Sequence, residues 1–518
     1  MVKLLLLVLL GCQNSVAPSP PRFVAGGVIH SDPSLGGTPV AGSGSGSGRF
    51  YLEHDWQPGD HFSQTGVEWE APEVADCAPI FHVELGNVRR HIAQGGAAPD
   101  TAMAWSPSGT MLAIGTFLGE VLVVDGWSGT ILKRRQFAET MVKQIAWSAN
   151  GETLYVAEQS PSGTVSALDP TTLRSKWSLH LADFVGQSPL PPGDLYGVYT
   201  LPAAYSMDVL PNGSLFIVAT HAWNNASGVR LNQTQLLQVS PQGEVEQRWP
   251  EQAADAVMYR AFVSGMNAVI PISKSSPGLP PVDFPVGGAL VFDLSAFGAT
   301  VAIKPSPLKP WFTNTFLWEA VDIDGQHVML GFGDGRVGLW SMDGTQSVAF
   351  PSGTPIQAGP VPIVASVGSG FLHGDRAVYQ TSWTHIPFGA AAPELRPPAA
   401  HPRANSIFVA GAQGEVLWSW SGPHVLEGIS LGADGRTLIV GASTRVNDTR
   451  RDLFGALLFD LGPSEQPQAP QLSRFCATEG PVFFRASSTA DGRIALAEHP
   501  HQQGDEPAFG AYQVTVFR

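Results

Sequence analysis

The residues best suited to chemistry lie in a few short stretches that combine imidazole with carboxylate. His54-Asp55 and Asp60-His61 fall within HDWQPGDH, and His499 and His501 precede Asp505 and Glu506 in HPHQQGDE. Imidazole nitrogen and carboxylate oxygen together suit zinc or another transition metal, so His54, Asp60, His61, His499 and His501 are candidate ligands. Neither stretch has the spacing of a defined site, and exposed loops containing proline often carry histidine without function. The expectation is therefore no bound metal and no cofactor. Asp322-Ile323-Asp324-Gly325 opens like a calcium loop but lacks the later carboxylate, which makes it a turn. The chain has no glycine-rich phosphate loop with its lysine, no HExxH, no zinc-ribbon cysteine set and no hydrolase nucleophile elbow.

The elements that must position any site are short strands. Thr101–Phe137 reads as four of them: AMAW, MLAIGTF, VLVVD and ILKRRQF, separated by tight turns rich in Gly, Ser and Pro. Such a meander cannot bury both faces alone and needs copies to pack against. The first turn recurs at Ser106–Gly109, Ser148–Gly151, Leu210–Gly213, Ile323–Gly325, Gly432–Gly435 and Thr489–Gly492, with weaker copies near Gly265 and Gly370–Asp375. The third strand recurs as glycine before a β run that often ends in Asp: GEVLVVD, GTVSALD, GGALVFD, GRVGLW and GALLFD. Tryptophans at strand ends (Trp105, Trp147, Trp177, Trp249, Trp340 and Trp420) read as packing between units rather than as a sugar platform. Long insertions at Asp183–Thr200, Ser273–Pro285, Pro387–Asn405 and His499–Pro507 interrupt the pattern and should decorate the faces.

Composition agrees with an all-β protein. Charged residues make up only 14% of the 518, against 57 Gly and 43 Pro. The net charge of −15 disfavours a nucleic-acid partner.

GTVSALDPTTLRSKW resembles a quinoprotein-type propeller repeat, and AMAWSPSGTMLAIGTFLGEVLVVD resembles a WD-type repeat. Both resemblances imply a β-propeller of about eight four-stranded blades, with seven as the alternative, over residues 78–518. The chain ends on a third-strand sequence, Gly510–Arg518, so the last blade needs an N-terminal strand to cover its edge. Ile80–Leu85 and Val88–Gln94 are the candidates, and the second is preferred if Cys77 and Cys476 are bridged.

The N-terminus, MVKLLLLVLLGC, resembles the lipobox of bacterial lipoproteins, which implies a signal peptide over 1–11 and lipidation of Cys12; an ordinary secretory signal is the alternative. Residues 12–48 read as a flexible Pro-, Gly- and Ser-rich tether and 49–77 as an N-terminal arm. In an exported chain the remaining Cys77 and Cys476 suggest one disulfide, the alternative being two free thiols. The resulting expectation is a monomeric, membrane-anchored lipoprotein of the bacterial outer membrane or cell surface, held by its lipid alone. It would dock an unknown protein partner as a scaffold module. A propeller enzyme of quinoprotein dehydrogenase or lactonase type, or a surface lectin or sensor, is the competing reading.

Overall fold

The computed structural model describes residues 28–30, 74–88, 101–137, 141–187, 201–224, 230–258, 260–272, 274–275, 288–305, 319–350, 352–358, 361–385, 401–422, 424–443, 452–463, 469–500 and 509–518. Within them the chain forms eight four-stranded antiparallel units around a central channel, a β-propeller. Blades one to seven are sequential, spanning 102–136, 141–180, 203–257, 262–303, 319–350, 361–421 and 425–477. The eighth takes Val482–Ser488, Ile494–Glu498 and Gln513–Phe517 from the C-terminus and Pro79–Glu84 from the N-terminus. Closure by an N-terminal strand is therefore present, but Val88–Gln94 is not that strand.

The alternation of side chains along each strand explains why the units need one another. In Glu120–Asp125, Val121 and Val123 pack with Val142, Ile145 and Val156 of the second blade. Leu122 and Val124 point the other way, to Ala495, Ala497 and Val514 of the eighth. Both faces of the strand are thus core, as the near-continuous apolar runs of the third strands require.

The turns follow from local polar chemistry. The Asp that ends a third strand caps the next turn: Asp125 Oδ1 accepts the amides of Trp127 and Ser128 and the Ser128 hydroxyl. Asp169 does the same with Thr171 and Thr172, hydroxyl and amide bonds that hold its carboxyl at about 2. At the IDG turn Asp324 Oδ1 accepts from the amides of Gln326 and His327.

Inner-strand edges face the channel and must satisfy backbone groups without a fifth neighbour. Neighbouring blades supply partners. Trp105 Nε1 donates to Ser487 O at 3.3 Å, Trp147 Nε1 to Ala104 O at 2.9 Å and Gln144 Nε2 to Tyr205 O at 3.0 Å. The Ile429 amide donates to Ser369 Oγ at 2.8 Å. The first strands of the fifth and sixth blades even pair directly, Glu319 and Ala320 running parallel to Ser369 and Gly370.

Antiparallel alternation sorts the connections. First-to-second and third-to-fourth links all leave one face of the disc and, apart from the 461–470 link of the seventh blade, they are tight turns. The links that carry 181–202, 273–287, 386–405 and 499–512 all join strands ending at the opposite face. The disc therefore has one closely trimmed face, while these four long links join strands that end at the other.

Two short segments extend outer edges. Val28–His30 pairs antiparallel with Val416–Ser421 of the sixth blade, and Ala75–Asp76 pairs parallel with Arg474 and Phe475 of the seventh. Immediately after the latter, Cys77 is bonded to Cys476, with the Cα atoms 4.7 Å apart. The bridge and the Pro79–Glu84 strand coexist. A geometry drawn from flat blades sets these on opposite rims. Twist of some 20–25° per strand inclines each outer strand so that its end leans towards the next blade.

Candidate functional site

On the trimmed face the channel widens into a cavity of about 330 Å³, lined from six blades by residues near the ends of their inner strands. Met103, Phe262, Val321, Phe371, Ile429 and Leu431 give it apolar walls, while Arg260, Asp322, Ser430 and Ser487 add polar groups. The size falls at the lower end of the range for small-ligand clefts and also suits one or two inserted side chains.

The charges here come from separate blades. Asp322 accepts the amide of Ile323 at 2.9 Å on Oδ1 and that of Leu372, in the next blade, at 2.7 Å on Oδ2. Burial raises its carboxyl above the ordinary value, opposed by those two amides and by the charge of Arg260. Asp208, on the inner strand of the third blade, is also raised by burial, opposed by the Ser206 hydroxyl at 2.8 Å and again by Arg260. Arg260 lies half-buried, its guanidinium 5.0 Å from the Phe262 ring centre. One cation thus serves two carboxylates. Each carboxylate also has a bonded partner: Asp208 bonds a hydroxyl within its own strand, and Asp322 ties the fifth blade to the sixth through Leu372.

The residues singled out by sequence do not converge on this cavity. Cys12, His54, Asp60, His61 and His501 lie outside the described residues. His499 is 2% exposed, at the end of the second strand of the eighth blade, with its ring centre 5.9 Å from that of Tyr512. Among the described residues no three His, Cys, Asp or Glu side chains are grouped to hold a metal ion. Of the DIDG stretch, Asp322 reaches the channel mouth and Asp324 caps the turn. Trp105 and Trp147 serve inter-blade contact, and Trp177 Nε1 donates to Pro241 O of the third blade at 2.8 Å.

Two further residues join the eighth blade to the first. Arg493 is 2% exposed and donates from Nη1 to Gly126 O and from Nη2 to Gly109 O, each at 2.8 Å. Its guanidinium lies 3.8 Å from the Trp127 ring centre and pairs with Asp491 at 3.1 Å. Gly109, at φ +68°, and Gly126 leave just the room this needs: a Cβ on either would stand 3.0 Å from the guanidinium. On the other face the Tyr512 hydroxyl accepts the Phe117 amide at 2.8 Å and the Thr101 hydroxyl at 3.1 Å. The sole sequence signal for Arg493 is its place two residues after Asp491 in a DGR turn, a pattern that Asp334-Gly335-Arg336 repeats.

Comparison with known proteins agrees with this architecture. The family described as the anaphase-promoting complex subunit 4 WD40 domain matches residues 92–150. The fold is a WD40-type β-propeller. The C-terminal WD40 domain of Sif2 superposes with a TM-score of 0.52 at 14% identity, covering 86% of this chain and 99% of that one. U3-55K gives 0.45 at 9% identity, covering 86% and 99%. BamB from Moraxella catarrhalis gives 0.36 at 12% identity, covering 67% and 82%. No curated protein matches.

Proposed function

We propose that this chain is a lipid-anchored propeller of the bacterial cell envelope, in the outer membrane or at the cell surface, and that it acts as a protein-docking scaffold. The observation that carries the docking role is the trimmed face. Tight turns from all eight blades surround a channel mouth whose walls come from six of them. Such a surface is rigid, and its apolar walls beside Arg260 and Asp322 suit an inserted loop from a protein partner. A propeller enzyme would call on Asp208 and Asp322, but both are committed to bonds between or within blades. The lipid anchor rests on the apolar run ending in Leu10-Gly11-Cys12.

The test places a photo-crosslinking residue at Ser430 or Ser487 in cells, with Ser175 on the outer rim as control. Discrete protein adducts from the two mouth positions are expected, and their absence defeats docking at the mouth. Metabolic labelling with a fatty acid should mark the wild type and not Cys12→Ala. Equal labelling of both would remove the anchor.

A further inference from the structure

We infer that the outer edge of the first blade is a second docking surface, one that takes an extended acidic strand from a protein partner. This goes beyond the channel-mouth reading, because a different surface and different residues carry it.

Five large apolar side chains are exposed among the described residues, and four of them belong to the first blade. Ile131 and Leu132, 40% and 45% exposed, lie on its outer strand, Ile131–Gln136. Trp127, 48% exposed, precedes that strand. Leu118, 37% exposed, sits at its far end, where Gln136 Nε2 donates to Leu118 O at 2.9 Å. The apolar groups therefore bracket the edge along its whole length. Among the described residues the strand pairs on one side only, with Glu120–Asp125, which leaves a row of amides and carbonyls of 131–135 facing outwards.

The molecule itself shows how such an edge is used. The fifth exposed residue, Leu417, lies on the outer strand of the sixth blade, and there Val28–His30 adds an antiparallel strand. Ala75–Asp76 adds one to the seventh. No described segment covers the first blade in this way.

Charge selects the occupant. Lys133-Arg134-Arg135 is the sole run of three lysines or arginines in a chain of net charge −15. Arg135 turns to the second blade, where Nη1 donates to Leu173 O at 2.7 Å. Arg134 stays 51% exposed, 3.6 Å from Glu120, and Lys133 is exposed beside it. Lysine and arginine alone on an edge would guard against pairing. Combined with an exposed apolar border, they favour pairing with a strand that brings carboxylates, the mode in which main-chain bonds give affinity and flanking side chains give selectivity.

The experiment uses the full chain and a peptide of about eight residues that alternates glutamate with valine or threonine. Amide exchange at residues 131–136 should slow on adding it. Lys133→Glu with Arg134→Glu should weaken the effect about tenfold or more, with the melting temperature unchanged. A version of the peptide methylated on alternate backbone nitrogens should give no protection. The inference is overturned if the peptide protects no amide in 131–136, if the methylated peptide protects equally, or if charge reversal changes nothing. It is also overturned if the same amides become protected by raising protein concentration alone, since the occupant would then be a second copy. Arg260→Ala, run in parallel, should leave this protection intact, so failure at the channel mouth and failure at the edge remain separate results.

Discussion

Arg493 shows how much a single side chain can carry in a ring. It is the point where the last blade grips the turns of the first, through two carbonyls that would otherwise be buried without a donor. Arg493→Ala should cost about 2–4 kcal/mol, since bonds to a charged group contribute roughly 1.5–3 kcal/mol and the carbonyls left behind are desolvated. A urea midpoint close to wild type would show that the contact is idle. Glu427 provides a second residue-scale test. It is buried beside Ser443 on the inner strand of the seventh blade, and burial pushes its carboxyl up to about 8, opposed by the Ser443 bond. The folded chain thus holds this proton more tightly than the unfolded chain. The contribution to stability is fully present below about pH 4.5 and is lost as pH rises through about 8. The slope for one group is at most about 1.4 kcal/mol per pH unit. Glu427→Gln should flatten it, raising stability most at the alkaline end; an unchanged pH profile of the denaturation midpoint would overturn this.

At the scale of the strand, the register of the organising repeat makes a direct claim. Val121 and Val123 are 0% and 1% exposed and face the second blade. Replacing both with Asn buries unpaired amides at about 1–3 kcal/mol each, and the melting temperature should fall accordingly. This register was legible in the sequence because a glycine-started apolar run ending in Asp leaves few alternatives. The Asp itself caps the following turn, which is why the pattern repeats. The closing strand was legible in kind but not in place. The choice between Ile80–Leu85 and Val88–Gln94 depended on where the ends of two outer strands point, and that is set by accumulated twist, which no local pattern encodes. Asp208, Arg260 and Asp322 were illegible for a related reason: they meet only because three different blades end at one mouth. Trp105 and Trp147 were readable because a recurrent aromatic at one strand position implies a recurrent contact.

For the whole molecule, the Cys77–Cys476 bridge fastens the N-terminal segment to the seventh blade two residues before it becomes the edge of the eighth. It spans a sequence separation of 399. Cross-links over long loops typically contribute 2–4 kcal/mol, mainly by restricting the unfolded chain. Cys77→Ala with Cys476→Ala should lower the urea midpoint by a corresponding amount while the eight blades remain. If oxidised wild type and the double variant unfold together, the bridge has no part in holding the ring shut.

The position of the closing strand also sets a clock. Glu84 ends that strand and Gln513 begins its partner, a sequence separation of 429 (513 − 84). At roughly 5–20 residues per second, the strand waits on the order of 20–90 s for its mate. Seven blades can be complete before the circle is. A chain that stops even a few residues short of Gln513 therefore keeps its closing strand permanently idle, and proteolysis can tell such a chain from a longer one by whether Pro79–Glu84 is cut.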